Sequence, residues 1–448
     1  MESATATFVS TPFERRTPAV LRLLGDPAFW LSGVIAATMF SGNWGLLGSP
    51  LPLDRVCLLL TFATLALKKP LGMKFRLRLA PIHGAMLLAL VYVIGSAVTS
   101  GSITTHDGSF ALLDRFGLVP FVCFAIAPVV FPSARERSIL LIVLTLTGAY
   151  LGLTALFEVL HVNALIIPKY ILNPNVGIHE GRARGPFVEA GANGMAMSVC
   201  AVAAVLLMTR VSAVRWRIIC GGVTVLCCAG ILLTLTRGVW LGAAVGGAFA
   251  LAFYRPLRKF VFPAALIGGT VVTIALAVIP SLERSVQQRT SSDLTLWDRY
   301  NLNNAAVNIA ESYPLFGVGW QGFGSHADRF YQLGKTYPLV TSTVVHNLIL
   351  SNLAELGLVG LTLWLAVLVL GLGGALARRP PPELRIWQFG LMAIVIEWVI
   401  AGMFGPLAYA FANSSLWVWA GIVYGPRACP VVPALTGPQA RLSADRSP

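Results

Sequence analysis

Apolar stretches of about twenty residues recur along the chain, and short polar connections separate them. Each stretch is long enough to cross a hydrocarbon core of roughly 30 Å as a helix. Because lipid offers the backbone no hydrogen-bond partner, a spanning segment of this kind must satisfy its own polar groups as a helix. The pattern therefore predicts an all-α polytopic membrane protein with about twelve transmembrane helices, near residues 28–47, 52–67, 82–99, 109–131, 138–160, 191–209, 216–235, 238–254, 260–280, 354–376, 385–404 and 406–424.

The positions of lysine and arginine predict how these helices are oriented. If the N-terminus is cytoplasmic, 22 of the 33 basic residues fall in the seven segments on that side, and each of the seven contains several. Cytoplasmic connections of membrane proteins carry such an excess of positive charge. We therefore expect a multi-pass inner-membrane protein with both termini in the cytoplasm and its functional groups on the opposite, periplasmic face.

Composition supports one membrane domain with one sizeable extramembrane insertion. Of the 448 residues, 56% are hydrophobic and 12% are charged, whereas a soluble domain has about 25% charged residues. The net charge of +14 comes mostly from the cytoplasmic segments, and the chain lacks the basic, aromatic-rich face that nucleic-acid binding needs. The predicted parts are a cytoplasmic N-terminal segment 1–27, transmembrane helices one to nine in 28–280 with a periplasmic loop at 161–190, a large periplasmic loop 281–345, transmembrane helices ten to twelve in 346–424, and a cytoplasmic C-terminal tail 425–448.

Eleven basic residues lie instead in the outside connections or near the outer ends of spans, where the positive-inside rule disfavours them. Long loops are also where binding and catalytic residues concentrate, so these positions need a reason beyond topology. The eleven are Arg55, Arg115, Lys169, Arg182, Arg184, Arg237, Arg284, Arg289, Arg299, Arg329 and Lys335.

Arg182 and Arg184 stand in a glycine- and proline-rich turn, residues 181–187, that leads into the sixth span at Asn193. A guanidinium group is a planar fork of donors that matches phosphate oxygens and stays charged at any relevant pH. Two interfacial arginines are also common anchors for lipid headgroups. The turn alone does not decide between these two roles.

Arg237 lies between the seventh and eighth spans with almost no loop around it. A charge held at that boundary is costly unless something pairs with it. Glu158, Glu180 and Glu189 are candidate structural partners on the same side, but an anionic ligand is the interpretation that we favour.

The insertion predicts a helix over residues 296–311 that carries Arg299. The glycines of 316–324 neither follow a strand nor open a helix, so they do not form a phosphate-binding fingerprint. We expect them to let the backbone pack tightly against the membrane face of the protein.

His346 lies at the end of the insertion. Thr341, Ser342 or Thr343 is a favourable N-cap for a helix that enters the tenth span, which would place His346 in the first turns of that helix. The positive end of a helix dipole favours neutral imidazole, the form that a general base requires. A histidine that ties a loop to a span is the alternative; the arginines on the same face favour the catalytic role.

The outside carboxylates form no Asp-x-Asp pair, which a divalent-cation site for a diphosphate would need. We therefore expect no metal and no cofactor, because arginines can neutralise a diphosphate by themselves.

Together these features resemble the O-antigen ligase family, part of a wider group that includes O-antigen polymerases and bacterial protein O-oligosaccharyltransferases. The topology along nearly the whole chain carries the resemblance, with four local matches in order: Thr236-Arg237-Gly238 after a span, Arg184-Gly185 to Asn193, Pro314 through Gly319 with Phe323, and His346-Asn347. The resemblance implies the multispan helical fold of lipid-linked glycosyltransferases.

An O-antigen ligase is a glycosyltransferase of lipopolysaccharide biosynthesis. The resemblance implies an undecaprenyl-diphosphate-linked glycan as donor, the lipid A-core oligosaccharide as acceptor, and contact with membrane lipids. It also implies that Arg184, Arg237 and Arg299 bind the diphosphate, with Arg182 and Arg289 as alternatives, and that His346 is catalytic. From the chemistry we expect transfer that is independent of metal and inverts the anomeric centre.

Rival functions remain at this point. An O-antigen polymerase, which joins lipid-linked repeat units, has motifs that barely differ from those of the ligase. A transporter or flippase would predict an internal repeat and polar residues near the membrane midplane; the chain shows no repeat at a fixed offset, although Glu397 falls about mid-span. A protein-modifying transferase would usually have a larger C-terminal domain outside.

Overall fold

The computed structural model describes residues 19–68, 79–178, 181–253, 294–327, 329–330, 344–405, 407 and 409–425, with the single residues 258 and 270. These residues form a bundle of α-helices, and no strand occurs among them. The α-helices are α1 Ala19–Leu24, α2 Pro27–Ala37, α3 Leu53–Lys68, α4 Pro81–Thr99, α5 His106–Phe110, α6 Leu118–Val130, α7 Ala134–Val159, α8 Ala190–Arg210, α9 Val214–Leu233, α10 Arg237–Phe253, α11 Leu294–Ser312, α12 Phe323–Ala327, α13 Leu348–Leu368, α14 Gly374–Ala377, α15 Arg385–Phe404 and α16 Ala410–Tyr424.

Shorter helical turns extend several of these elements. π-helical segments at Ala111–Phe116 and Val369–Gly373 join α5 to α6 and α13 to α14. Single 3₁₀ turns lie in the connections, at Thr38–Phe40, Trp44–Leu47, Ser102–Thr104, Asn163–Leu165, Lys169–Leu172, Gly185–Phe187 and Pro382–Leu384.

Seven helical segments among the described residues are long and apolar enough to cross a membrane, so the chain is a multi-pass membrane protein. They are Pro81–Thr99, His106–Val130, Ala134–Val159, Ala190–Arg210, Val214–Leu233, Leu348–Ala377 and Pro382–Phe404. Each coincides with a predicted span. The all-α membrane class is therefore confirmed.

The other five predicted spans do not reach that length in the described residues, so the count of twelve stays a prediction. The stretch 28–47 is a helix only to Ala37 and then a 3₁₀ turn. The segments α3, α10 and α16 are helices of 16, 17 and 15 residues. The ninth predicted span, 260–280, lies outside the described residues apart from position 270.

The centre of the bundle is formed by α8 and α16, whose residues are buried around almost the whole helix. Small residues let neighbouring helices approach α8 closely. A Cβ on Gly148 of α7 would lie 2.7 Å from Cys200, and one on Gly230 of α9 would lie 2.4 Å from the sulfur of Met197. Small residues at helix contacts are typical of membrane proteins, where van der Waals packing drives association.

A break in α13 fixes the end of the insertion to the bundle. Gly357 has φ 63° and ψ −170° inside the helix, which leaves backbone groups on both sides of it without helical partners. The segment 313–319 supplies those partners. Val318 and Gly319 donate their N–H groups to the carbonyls of Ala354 and Glu355, while Leu358 and Val359 donate to the carbonyls of Pro314 and Leu315, all at 2.8–3.2 Å.

Glycine is required on both sides of this contact. A Cβ on Gly357 would lie 2.3 Å from the backbone of Leu315, and a Cβ on Gly317 (φ +68°) would lie 2.4 Å from that of Glu355. At Gly317 this confirms the prediction that the glycines of 316–324 permit tight backbone packing, whereas Gly357 is not part of that prediction.

Trp320 continues the attachment toward α4. The backbone N–H of Trp320 donates to Ser96 Oγ at 3.0 Å, while Ser100 Oγ donates to the carbonyl of Trp320 at 3.1 Å. Its indole N–H donates to the carbonyl of Gly108 at 3.2 Å. A groove of about 560 Å³ lies between α4 and the segment 316–319.

Helix α11 confirms the predicted helix over 296–311 and packs through one face. Leu302, Ala305, Ala306 and Ile309 are fully buried against α12, α13 and Val345. Arg299 precedes Leu302 by three residues, so it belongs to the same face of the helix. The insertion thus holds Arg299 toward the bundle.

Arg55 has a structural reason for its place near a helix end. Its guanidinium donates to both carboxylate oxygens of Asp114, at 2.6 and 2.7 Å, and to Asp54 at 3.1 Å. Both aspartates are buried. Such a buried, doubly hydrogen-bonded pair is strongly destabilised if one partner is removed, so Arg55 joins α3 to the π-helical segment 111–116.

The predicted orientation can be measured by labelling single cysteines in a cysteine-free variant with a membrane-impermeant maleimide. We expect Asn175→Cys and Tyr313→Cys to react in cells with a permeable outer membrane and intact inner membrane. Ser212→Cys and Pro381→Cys should react only after the inner membrane is opened, because basic residues flank them. The reverse pattern would contradict a periplasmic site.

Candidate functional site

One end of the bundle, here called the loop end, gathers the candidate residues. It contains the C-terminal ends of α4, α7, α9 and α15 and the N-terminal ends of α8, α10, α13 and α16. Side chains and backbone tie these ends together: Asn43 and Tyr170 both donate to the carbonyl of Pro186, and Ala183 donates to the carbonyl of Leu233.

The backbone is strained at this end. Among the described residues, the non-glycine residues with positive φ are His161 (56°), Val188 (48°), Leu235 (52°), Gln321 (56°) and Leu407 (43°). All five lie in connections of the loop end. Conformations of this kind cost roughly 1–3 kcal/mol each and cluster at functional sites. The strain therefore supports the loop end as the location of the candidate site.

Arg184 is buried and its guanidinium is occupied by the loop before it. It donates to the carbonyls of Ile171, Val176 and Asn173 at 2.8, 2.9 and 3.2 Å. The backbone N–H groups of Arg184 and Gly185 donate to the carboxylate of Glu158 at 2.6 and 2.8 Å. In this arrangement Arg184 holds the loop in shape, and its donors do not point at a ligand.

Arg182, in the same turn, lies near the N-terminal end of α8. The turn is fixed next to it, since Asn193 Nδ2 donates to the carbonyl of Ala183 at 3.1 Å. Glu189 caps α8 by accepting from the N–H groups of Gly191 and Ala192 at 3.0 and 2.6 Å. Burial raises the pKa of Glu189, while those hydrogen bonds, another from Tyr409 and the positive charge of Arg182 lower it. Arg182 therefore faces the N-terminal end of α8.

Arg237 is the first residue of α10. The turn before it packs on α8, because a Cβ on Gly194 would lie 2.9 Å from Val239 and 3.3 Å from Thr234. A Cβ on the next residue, Gly238, would lie 3.1 Å from Phe404 at the end of α15. Arg237 thus begins a helix that packs on α8 and α15, and only residues 234–236 separate that helix from α9, in agreement with the short connection that the sequence predicts.

Arg299 approaches Arg237 from the insertion. Burial lowers the pKa of the Arg299 guanidinium, and the positive charge of Arg237 lowers it further. Its Nε is buried and donates no hydrogen bond to the residues that the structure describes. Two like charges are held near each other here, and an anion between them would relieve both the repulsion and the loss of solvation.

His346 lies immediately before α13, which corrects the expected helix start. Asn347 is the N-cap, and its side chain accepts from Ile349 and Leu350 at 3.0 and 3.2 Å. The hydroxyl residues 341–343, expected as the cap, lie outside the described residues. His346 therefore precedes the first turn instead of lying in it.

The chain neighbours of His346 contact the elements that carry or flank the arginine pair. Val345 is buried against α11, the helix that carries Arg299. Leu348 packs against Gly402 near the C-terminal end of α15, where Gly238 also packs. Arg237 and His346 thus adjoin residues that contact the end of α15, and Arg299 lies within electrostatic range of Arg237; we call these three residues the α15 group.

Arg115 is a candidate that sequence reasoning did not single out. It lies in the π-helical segment 111–116, and its guanidinium stacks over the ring of Phe110, 5.1 Å from the ring centre. Its Nε is buried without a hydrogen-bond partner among the described residues. The signal in the sequence was a charge inside an apolar span, which is expensive without a partner or ligand.

Two further expectations stay predictions. Arg289, named as an alternative diphosphate ligand, lies outside the described residues, as does Glu180. Within the described ranges, no three His, Cys, Asp or Glu side chains are grouped as a metal would require; independence from metal needs a test in solution.

Comparison with known proteins bears on this arrangement. Residues 222–365 match the sequence model of the family described as O-antigen ligase. This segment, 144 of the 448 residues, is similar to that family. The resemblance seen in the sequence is therefore confirmed, and the matched segment includes Arg237, Arg299 and His346. Members of this family are glycosyltransferase-type enzymes of polysaccharide biosynthesis that act on lipid-linked substrates.

A relative of known name is the exopolysaccharide production protein ExoQ of Rhizobium meliloti. It is 26% identical over 242 residues, which cover 44% of this chain and 54% of the relative. The match thus spans about half the length of that protein, and its name places it in polysaccharide production.

Arg184 and Arg299 should respond differently to replacement by alanine. Arg184→Ala leaves three carbonyls of the loop without a donor, at about 1–3 kcal/mol for each buried group left unsatisfied, so its unfolding temperature should fall clearly. Arg299→Ala should leave the unfolding temperature unchanged or raise it, because it removes a repulsion. Thermal unfolding in detergent, followed by tryptophan fluorescence, measures both. A stable Arg184→Ala variant that fails to bind donor would restore Arg184 to the diphosphate site.

Proposed function

We propose that this protein is an O-antigen ligase that transfers a glycan from undecaprenyl diphosphate to the lipid A-core oligosaccharide. The reaction takes place at the periplasmic face of the inner membrane. The observation that carries the proposal is the α15 group: two arginines that repel each other, and a histidine whose chain neighbours pack on α11 and α15, all inside the segment that matches the O-antigen ligase family.

Arg237 and Arg299 bind the diphosphate of the donor. Each guanidinium offers a planar pair of donors to phosphate oxygens, and two of them neutralise most of the charge that grows as the diphosphate leaves. A partly buried position strengthens these interactions because little water competes. Arg182 is the alternative third ligand, since its charge acts on Glu189 at the N-terminal end of α8, whereas the guanidinium of Arg184 donates to loop carbonyls.

His346 removes the proton from the acceptor. As the acceptor oxygen forms a bond with the anomeric carbon, the bond from that carbon to the diphosphate oxygen breaks. The electron pair leaves with the diphosphate, and the hydroxyl proton passes to His346. The diphosphate is already a good leaving group, so one base suffices, and attack from the back side inverts the anomeric configuration without a glycosyl-enzyme intermediate.

A polymerase that joins lipid-linked repeat units is the second candidate. It is favoured by the relative named as an exopolysaccharide production protein. Deletion of the gene distinguishes the two: loss of all capping with accumulation of lipid-linked polymer supports the ligase, whereas a core that bears one repeat unit supports the polymerase. Normal polysaccharide in the deletion strain would contradict both.

The arginine pair is tested by Arg237→Ala and Arg299→Ala in purified enzyme with excess chelator present. Each should reduce transfer by about 10- to 100-fold or more, because a charge-assisted hydrogen bond contributes roughly 1.5–3 kcal/mol. Arg237→Lys should recover little activity, since a point charge cannot make the forked contact. Arg329→Ala, an exposed arginine of the same insertion, is the matched control and should retain full activity.

Unchanged transfer in both alanine variants would overturn the diphosphate role. If activity vanishes in chelator and returns with magnesium or manganese, the diphosphate is neutralised by a metal and the proposal of arginines alone is wrong.

His346→Ala should bind the lipid-linked donor nearly as well as wild type and transfer it about 10²- to 10⁴-fold more slowly, the usual effect of losing a positioned base. The matched control is His326→Gln, because His326 Nδ1 lies 2.9 Å from the carbonyl of Gly322 in its own turn. Product anomers are read by NMR. Near-wild-type turnover in His346→Ala, retention of configuration, or a covalent glycan on the protein would each contradict the mechanism.

A further inference from the structure

Contacts in the fold orient Arg115 but do not use the hydrogen-bond donors of its guanidinium. Its carbonyl accepts from Asn413 Nδ2 at 2.9 Å, and its guanidinium lies over Phe110. An aromatic ring satisfies the face of a guanidinium and leaves the N–H groups along its edge available. Among the residues that the structure describes, that guanidinium forms no hydrogen bond and no ion pair.

The carboxylates that surround Arg115 have partners of their own. Its electrostatic neighbours are Asp107, Asp114, Glu189 and Tyr409. Asp114 is held by Arg55, Glu189 caps α8, and Asp107 is exposed beside His106. None of these groups accepts a hydrogen bond from the Arg115 guanidinium. The donors of a half-buried cation are therefore available to a ligand.

Arg115 has different electrostatic neighbours from the residues of the α15 group. The charge that acts on Arg299 is that of Arg237, whereas the groups that act on Arg115 belong to α5, the π-helical segment, the N-terminal end of α8 and Tyr409 just before α16. Arg115 and Arg182 precede the matched segment 222–365, which includes all three residues of the α15 group. Asn413 still connects the two regions, because it donates both to the carbonyl of Arg115 and to that of Leu407, which packs on Gly402.

We propose that Arg115 binds an acidic group, a phosphate or carboxylate, of the acceptor substrate. The inference rests on the proposed function and deepens it, since the donor diphosphate is assigned to the α15 group and the N–H groups of a second guanidinium at the same end of the bundle can bind a second anion. In a ligase that anion belongs to a phosphorylated or carboxylated core sugar. In a polymerase it belongs to the diphosphate of a second lipid-linked glycan.

The experiment measures lipid binding by the full-length protein in nanodiscs of neutral lipid. The two probes are undecaprenyl diphosphate and a lipopolysaccharide core lipid that lacks O-antigen. Wild type is compared with Arg115→Gln, Arg115→Lys, Arg237→Gln and the control Lys169→Gln, which removes an exposed charge from the same end. Folding of each variant is checked by its elution as a single species and its unfolding temperature.

We expect Arg115→Gln to weaken the binding of one of the two acidic lipids by about 10- to 100-fold, the equivalent of one or two charge-assisted hydrogen bonds. Loss of core-lipid binding with undecaprenyl diphosphate unchanged identifies a core-sugar anion. A fall from two bound undecaprenyl diphosphates per chain to one identifies a lipid-linked acceptor. Arg237→Gln should weaken the remaining undecaprenyl diphosphate site, and Lys169→Gln should change neither probe.

If Arg115→Gln does not fold, Arg115→Lys provides the test, because lysine keeps the positive charge and lacks the planar pair of guanidinium donors. The affinity of this variant for the acidic lipid should fall about tenfold. Wild-type affinity and stoichiometry for both probes in the Arg115 variants would overturn the inference. Failure of wild type to bind undecaprenyl diphosphate, with core-lipid binding that still depends on Arg115, would overturn the proposed donor alone. Binding of neither lipid by wild type would overturn both.

Discussion

The break in α13 at Gly357 is the constraint on which the rest of the loop end depends. A helix inside a membrane cannot leave backbone groups unsatisfied, so a break there persists only where another segment supplies hydrogen bonds. The segment 313–319 does so with four of them. Because this segment follows α11 directly, the same contact fixes the position of α11 over the bundle. It thereby determines where Arg299 lies relative to Arg237 and His346.

Holding the arginines in place is unfavourable in the absence of a ligand. Arg299 is half-buried beside Arg237, and Arg115 stacks on Phe110 without a hydrogen-bond partner among the described residues. Loss of solvation and like-charge repulsion both oppose this arrangement. The stability of the surrounding contacts, including the docked segment and the buried pair of Arg55 with Asp114, has to offset it. Sites that bind highly charged substrates can contain such unfavourable interactions, because substrate binding removes the repulsion and restores hydrogen bonds to the charged groups.

Sequence alone predicted the features that follow from local composition. The long apolar helices, the helix that carries Arg299 and the tight packing of the 316–324 glycines are all consequences of hydropathy, periodicity or the absence of a Cβ. What it could not predict depends on tertiary contacts. Three hydroxyl residues and Asn347 are all good N-caps, and only the structure shows that Asn347 accepts the first N–H groups of α13. Likewise, the sequence alone does not distinguish the five candidate arginines, yet in the structure the guanidinium of Arg184 donates to three loop carbonyls.

The helix N-terminal ends explain why the arginines are needed at all. Four helices, α8, α10, α13 and α16, begin at the loop end, and uncapped helix starts can bind phosphate through their free N–H groups. Two of them are closed to that use, because Glu189 accepts the N–H groups of Gly191 and Ala192, and Asn347 accepts those of Ile349 and Leu350. The positive dipole ends still add to the local field, and at these two helix starts the proposed diphosphate has to receive its hydrogen bonds from side chains. Guanidinium groups are the side chains best suited to that task, and a lysine in the place of Arg237 would keep the field while losing the geometry.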